Sequence, residues 1–281
     1  MTGIALLSPS EGYDVRPFTS ARAMTFTRYA SLQGRTVVIT GGASGIGAAF
    51  VRAFAENGAR IAFLDLQEEA GAALAASLTA SGVGGGDGPL FVRCDLTDIA
   101  ALRAALDTIR AALGPAAVLV NNAANDQRYD FASITPEEFD RAVAVNFRHV
   151  FFASQAIVPQ MRELGHGSIV NMSSVSWMRG IPLLEAYASA KAAIVGFTNT
   201  LARAVGPHRI RVNAIAPGMV LTDRQRRLWF EDASLIEVGR AQQCLPDLIA
   251  PEDIANLALF LAADDSRLIT RQCISVNGGV L

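Results

Sequence analysis

Lysine is all but missing from this chain. Lys191 is the only one, and apart from three histidines every other basic side chain is arginine. Arginine does not shed its proton in a protein, whereas lysine is a compact charge whose proton affinity responds to its surroundings. A single lysine therefore draws attention to its neighbours. Cysteine is also scarce. Cys94, Cys244 and Cys273 lie far apart, which excludes a disulfide framework and any Cys-based metal spacing, so no metal is expected. Net charge is close to zero, at −2, which argues against a general nucleic-acid or membrane-surface binder. No apolar run reaches membrane-spanning length, and the N-terminus lacks the basic-then-apolar order of a secretory signal. The expectation is a soluble cytoplasmic protein with no membrane and no nucleic-acid partner. There are no repeats, no Pro/Ser linker and no low-complexity tract beyond the Gly-rich residues 81–88, which read as a flexible surface loop.

What is present is a regular alternation of short β-branched runs with Ala-rich helical stretches. Residues 1 to about 30 stand outside it and read as a loose N-terminal extension, with Met24 as an alternative start. Residues 31–281 are expected to form one domain, since 51% hydrophobic content is ample for a sizeable core. Strands are predicted at 35–40, 60–64, 90–94, 117–120, 167–171, 210–215 and 272–276, with helices between them. One long helix is predicted over 135–162, with Thr135 as cap, Pro136 at its first position and Asn146 inside it. Residues 221–245 read as irregular or helical. The pattern is that of an α/β fold, a single doubly wound domain with a mainly parallel seven-stranded sheet.

Chemistry-bearing residues gather at the predicted strand ends, where ligands bind in such sheets. Gly41, Gly45 and Gly47 form a turn between the first strand and helix, with Ser44 and Ile46 among them. Glycines there admit a pyrophosphate to the backbone, and the helix N-terminus stabilises its charge. Asp65 closes the second strand. It is placed either to accept hydrogen bonds from an adenosine ribose and repel a 2′-phosphate, or simply to cap the next helix. Asp95-Leu96, Asn121-Asn122-Ala123, Ser174 and Pro217-Gly218 close later strands. Tyr187 and Lys191 stand at i and i+4 and so share one helix face.

These motifs, in this order and spacing, resemble the short-chain dehydrogenase/reductase family over about residues 33–281. The departures are Ala124, where glycine is usual, and Asn277, where aspartate is commoner. The resemblance implies a Rossmann-type fold and assigns roles. Tyr187 would be the general base in oxidation, brought toward working pH by Lys191 and a positive nicotinamide. Lys191 would also hydrogen-bond the nicotinamide ribose. Ser174 would hold the substrate oxygen, and Asn146 a water linking Lys191 to solvent. Gly41, Ser44, Gly45, Ile46, Gly47, Asp65, Asp95, Leu96, Asn122, Ala123, Pro217, Gly218, Val220 and Thr222, with Tyr187 and Lys191, would line the cofactor. NAD is expected ahead of NADP because Asp65 opposes a phosphate and the turn has no basic residue. A homotetramer joined through helices around 135–162 and 185–205 is implied as well.

Within the family, Asn122–Arg128, Val145–His149, Val175-Ser176-Trp177 and Thr222–Gln225 look like the bacterial aldose 1-dehydrogenases, which oxidise D-xylose, L-arabinose, L-fucose or galactose. That likeness offers Asn125, Asp126, Arg128, Ser176, Trp177, Arg179 and Gln243 as sugar-binding residues, with Gln127 and Gln242 beside them. Each is equally an ordinary solvated loop residue by its type alone. Two alternatives stand beside this reading: an NADPH-dependent acyl-carrier or other keto-group reductase, and a nucleotide-sensing protein without catalysis.

Overall fold

Seven parallel strands form one sheet in the order β3-β2-β1-β4-β5-β6-β7. They are β1 (Thr36–Thr40), β2 (Arg60–Asp65), β3 (Leu90–Arg93), β4 (Val118–Asn121), β5 (Gly167–Met172), β6 (Ile210–Pro217) and β7 (Cys273–Val276). This is a computed structural model, and it describes residues 26–83, 88–229 and 232–281. Most of the proposed extension, including Met24, and part of the 81–88 loop lie outside the described residues. Every strand pairing is parallel, where the sequence reading allows an antiparallel edge. No helix among the described residues is long and apolar enough to cross a membrane.

The β-branched runs follow from burial on both faces. In β1, Val37 and Ile39 join one core cluster and Val38 the other. The first cluster is covered by α1 (Gly45–Glu56) and α10 (Pro251–Ala262), through Phe50, Phe54 and Leu259 among others. The second is covered by α3 (Ile99–Leu113) and by the helix at His149–Leu164, through Leu102, Leu106 and Ile157. A strand covered twice has no polar alternation to keep. The chain builds β1, β2 and β3 outward, then crosses to β4 on the far side of β1. The reversal leaves a crevice beyond the carboxyl ends of β1 and β4.

Two boundaries differ from expectation. Residues 26–30 are docked rather than loose. Phe26 and Tyr29 pack on the core, the Thr27 N–H donates to Asn256 Oδ1 (3.0 Å), and the Tyr29 N–H donates to Asn57 Oδ1 (2.8 Å). Two aromatic side chains give this stretch enough apolar surface to bury. The long helix expected over 135–162 is three pieces: α4 (Pro136–Val143), a π-helical turn (Ala144–Arg148) and α5 (His149–Leu164). Thr135 and Glu138 close a capping box at its start. The extra residue of the π-turn falls around Asn146. The segment beyond β6 contains two short helices, α8 (Asp223–Trp229) and α9 (Ala233–Arg240).

Candidate active site

A cleft of about 1210 Å³ opens along the carboxyl ends of the central strands. At one end lies the glycine turn. A Cβ on Gly47 would stand 1.8 Å from the Gly41 carbonyl oxygen, so only glycine lets turn and helix approach this closely. Gly41 and Gly45 both have positive φ, +69° and +53°. Asn122 holds the turn from below, its Nδ2 donating to Gly41 O (2.8 Å) and Thr40 O (3.1 Å). No side chain caps α1, whose first residues, Gly45, Ile46 and Gly47, line the cleft behind Ser44. Their unpaired N–H groups suit a pyrophosphate. Asp65 lines the same end and is nearly buried, accepting from Ala43 N (2.9 Å) and Gln67 N (3.0 Å). It does not cap α2 (Glu68–Ala80), which starts after Gln67 with no side-chain cap. Asp95, Leu96 and Ala123 form the next wall, and Asp95 is held as carboxylate by hydrogen bonds from Thr97. Pro217, Gly218, Val220 and Thr222 close the other side, the Thr222 methyl 3.1 Å from where a Gly45 Cβ would be. The residues present at this end fit a dinucleotide. Arg52 of α1, a basic residue outside the turn, also lines this end.

Midway along the cleft, Ser174, Tyr187 and Lys191 converge. The last two sit on α7 (Glu185–Val205), one turn apart, with the Lys191 Nζ 5.6 Å from the centre of the Tyr187 ring. Lys191 is 2% exposed, and its Nζ donates to the Met172 carbonyl at the end of β5 (2.8 Å). Burial draws its proton affinity down to about 7, against the pull of Asp126. Burial also raises the Tyr187 phenol to about 12. The charge of Asp126 adds to that, while a hydrogen bond with Ser174 and the charge of Arg224 oppose it. Without a positive nicotinamide beside it, the Tyr187 phenol keeps its proton at neutral pH, because burial disfavours the charged form of each group.

Asn146 is fully buried and does not line the cleft. Its Oδ1 accepts from Asn125 N (2.9 Å), and its Nδ2 donates to Asn125 O (2.9 Å) and Ala142 O (3.0 Å). The side chain thus fastens the loop after β4 to the π-turn.

Of the seven residues offered for substrate, Asn125, Asp126, Arg128, Ser176 and Arg179 line the cleft; Trp177 and Gln243 do not. Residues 176–179 form one helical turn, α6. Positions i and i+3 share a face, so Ser176 and Arg179 meet the cleft and Trp177 turns aside. Gln243 Nε2 donates to the carbonyls of Leu245 (3.2 Å) and Asp247 (2.8 Å), a structural role under Gly278. Gln242 does line the cleft and bonds Arg179 through its side chain; Gln127 does not line it. The sequence reading missed Gln225 and two apolar residues of α9, Leu235 and Val238, on the opposite wall. The signal for Leu235 and Val238 is their i, i+3 apolar spacing in a stretch that reads as irregular or helical.

A family model described as enoyl-(acyl carrier protein) reductase matches residues 41–281. The chain is 45% identical over 254 residues to a protein of Rhizobium meliloti described as probable galactose dehydrogenase, covering 90% of this chain and 98% of that one. It is 43% identical over 256 residues to D-xylose 1-dehydrogenase of Caulobacter vibrioides, covering 91% and 99%. Among solved structures, a 3-oxoacyl-[acyl-carrier protein] reductase from Brucella melitensis with bound NAD superposes with a TM-score of 0.80 at 33% identity, covering 89% of this chain and 92% of that one.

Proposed function

This chain belongs to the short-chain dehydrogenase/reductase family, a family of oxidoreductases that bind a nicotinamide cofactor, and on that premise we propose that it oxidises the C1 hydroxyl of an aldose, a pentose or hexose, to the lactone with NAD. The observation that carries the reading is a hydroxyl-handling centre, Ser174 with Tyr187, set beside a rim of hydrogen-bonding side chains: Asn125, Arg128, Ser176 and Arg179. A site built to bond hydroxyls rejects analogues that lack them. The similarity to enzymes named for galactose and D-xylose supports the same choice.

Ser174 and Tyr187 hold the C1 hydroxyl of the ring form. Tyr187 takes its proton on the phenolic oxygen as the C1 hydrogen departs with its electron pair. When bound, the cofactor supplies the acceptor for that hydride and a positive charge that favours the phenolate. The C1–O bond becomes a carbonyl, and the product is the lactone. Ser174 donates to the oxygen as charge develops on it. Lys191, with its proton affinity near neutrality, can hand on the proton. Leu235 and Val238 give the C–H face of the ring an apolar wall. Asp65 favours NAD by meeting a 2′-phosphate with like charge. A homotetramer is part of the proposal, supported by Phe139 and Phe151, 45% and 43% exposed on α4 and α5, and by the packing of Phe151 on Phe197 of α7. Sedimentation as a monomer would contradict it.

The test is a substrate panel with NAD⁺ and product analysis, using Tyr187→Phe as the inactive control. A lactone or aldonic acid from a pentose or hexose is expected. Turnover of steroid or aliphatic alcohols with none on any aldose would overturn the reading.

A further inference from the structure

Helix α8 lines the cleft, and side chains attach it to the loop after β4. Arg224 forms an ion pair with Asp126 through Nη1, and its Nη2 donates to Asn125 Oδ1 (2.9 Å). Gln225 Nε2 donates to the other Asp126 oxygen (2.6 Å). Both carboxylate oxygens of Asp126 are thereby engaged by α8, and its side chain is 17% exposed. The loop end of this attachment is itself immobilised, because Asn146 of the π-turn grips both main-chain groups of Asn125. The helix end is tied to the glycine turn. Thr222 accepts from Gln225 N (3.2 Å) and lies against Gly45.

We propose that Asp126 and Arg224 form a clamp that fastens α8 at the cleft, and that both are positioning residues for Tyr187 rather than groups that bond the sugar. The proposal rests on reading Tyr187 as the proton acceptor. A carboxylate already engaged at both oxygens, in a geometry locked from two sides, is poorly placed to take sugar hydroxyls as well. It is well placed to hold a helix and a charge in fixed positions. Tyr187 is faced by Ser174 after β5, Asp126 after β4, Arg224 of α8 and Lys191 of its own helix, with the buried, neutral His149 of α5 on the lysine side. Of these, the two clamp residues act on the phenol with opposite sign: Asp126 favours the protonated form and Arg224 the phenolate. The pair thus opposes its own effects while intact, and breaking it from either side unbalances them.

That opposition separates the clamp from a merely structural contact. Asp126→Asn and Arg224→Gln break the same ion pair, so hydrogen exchange of the amides at 222–229 should quicken at least tenfold in both. The pH midpoint of kcat/KM for sugar oxidation, which rises as Tyr187 loses its proton, should move down in Asp126→Asn and up in Arg224→Gln. Arg224→Lys, which keeps the charge but loses the fork, should quicken exchange while leaving the midpoint near that of the unaltered enzyme. Unchanged exchange in both broken pairs, or midpoints that fail to move in opposite directions, overturns the proposal. Absence of aldose oxidation in the unaltered protein overturns the sugar reading instead, and the exchange measurement still decides whether α8 is clamped.

Discussion

Replacing Lys191 by methionine should abolish turnover and yet make the protein more stable at neutral and mildly acidic pH. The side chain is 2% exposed, and burial lowers its proton affinity from 10.5 to about 7. The folded value lies below the unfolded one, so between the two the unfolded chain holds a proton that the folded chain has shed. Wild-type stability therefore climbs as pH rises across that window and is lowest beneath it. At pH 6.5 the shift costs the fold about 4–5 kcal/mol, at about 1.4 kcal/mol per pH unit. Methionine is also unbranched and removes this cost, but it leaves the Met172 carbonyl without its 2.8 Å donor. That loss is about 1–3 kcal/mol. The net gain is roughly 2–3 kcal/mol at pH 6.5, which at ~2–4 °C per kcal/mol raises the melting temperature by roughly 5–10 °C. By pH 9.5 the cost has fallen to about 1 kcal/mol and the lost hydrogen bond cancels it. Melting curves of both proteins without cofactor, taken from pH 6 to 9.5, read the difference directly. A variant less stable than wild type at pH 6.5, or a difference that does not shrink with pH, would refute the reasoning.

Three further outcomes are expected. Lys191→Arg should lose nearly as much turnover as Lys191→Ala, because the guanidinium neither fits the buried site nor gives up a proton; retention of most of kcat would reduce Lys191 to a generic charge. Asp65→Ser should narrow the preference for NAD⁺ over NADP⁺ by roughly one to two powers of ten in kcat/KM, about 1–3 kcal/mol of like-charge repulsion removed; equal use of both cofactors by the unaltered enzyme would contradict the role of Asp65, with Arg52 the nearest competing influence. Gly47→Ala should raise the KM for cofactor at least tenfold, since its Cβ would lie 1.8 Å from a backbone oxygen and the turn must move; unchanged cofactor titration would show that the turn is not the pyrophosphate cradle.

The parts of this protein legible in its sequence are those fixed by local rules. Strands buried on both faces read as apolar runs, so the five central strands were visible on that ground, and the order of motifs carried the half-buried edge strands β3 and β7 with them. Gly47 was legible because its reason, close approach of backbone to backbone, permits one residue type. Asn146 was legible as a position and not as a partner. Its contacts depend on a π-turn that inserts one residue into a helix, and no propensity marks where that happens. Trp177 and Gln243 were misplaced for a related reason: facing within a four-residue turn or an irregular loop has no periodicity long enough to read. Asp126 was visible as a polar loop residue, while its partners Arg224 and Gln225 lie 98 and 99 residues away.

The docked start of the domain has a consequence for how the chain is made. Thr27 bonds Asn256, Arg35 pairs with Asp264 (2.8 Å), and Phe50 and Phe54 of α1 lie in the cluster that α10 covers. The first helix of the sheet is thus roofed by the last. Asn256 follows Thr27 by 229 residues. At ~5–20 residues per second, a ribosome takes roughly 10–50 s to deliver that partner. For that interval β1 and α1 carry an uncovered aromatic face in the company of other nascent chains. Truncations that stop short of residue 251 would keep that face uncovered permanently, and so would a stall in translation. The vulnerability of this protein therefore lies in its synthesis, in the interval before its last helix is made.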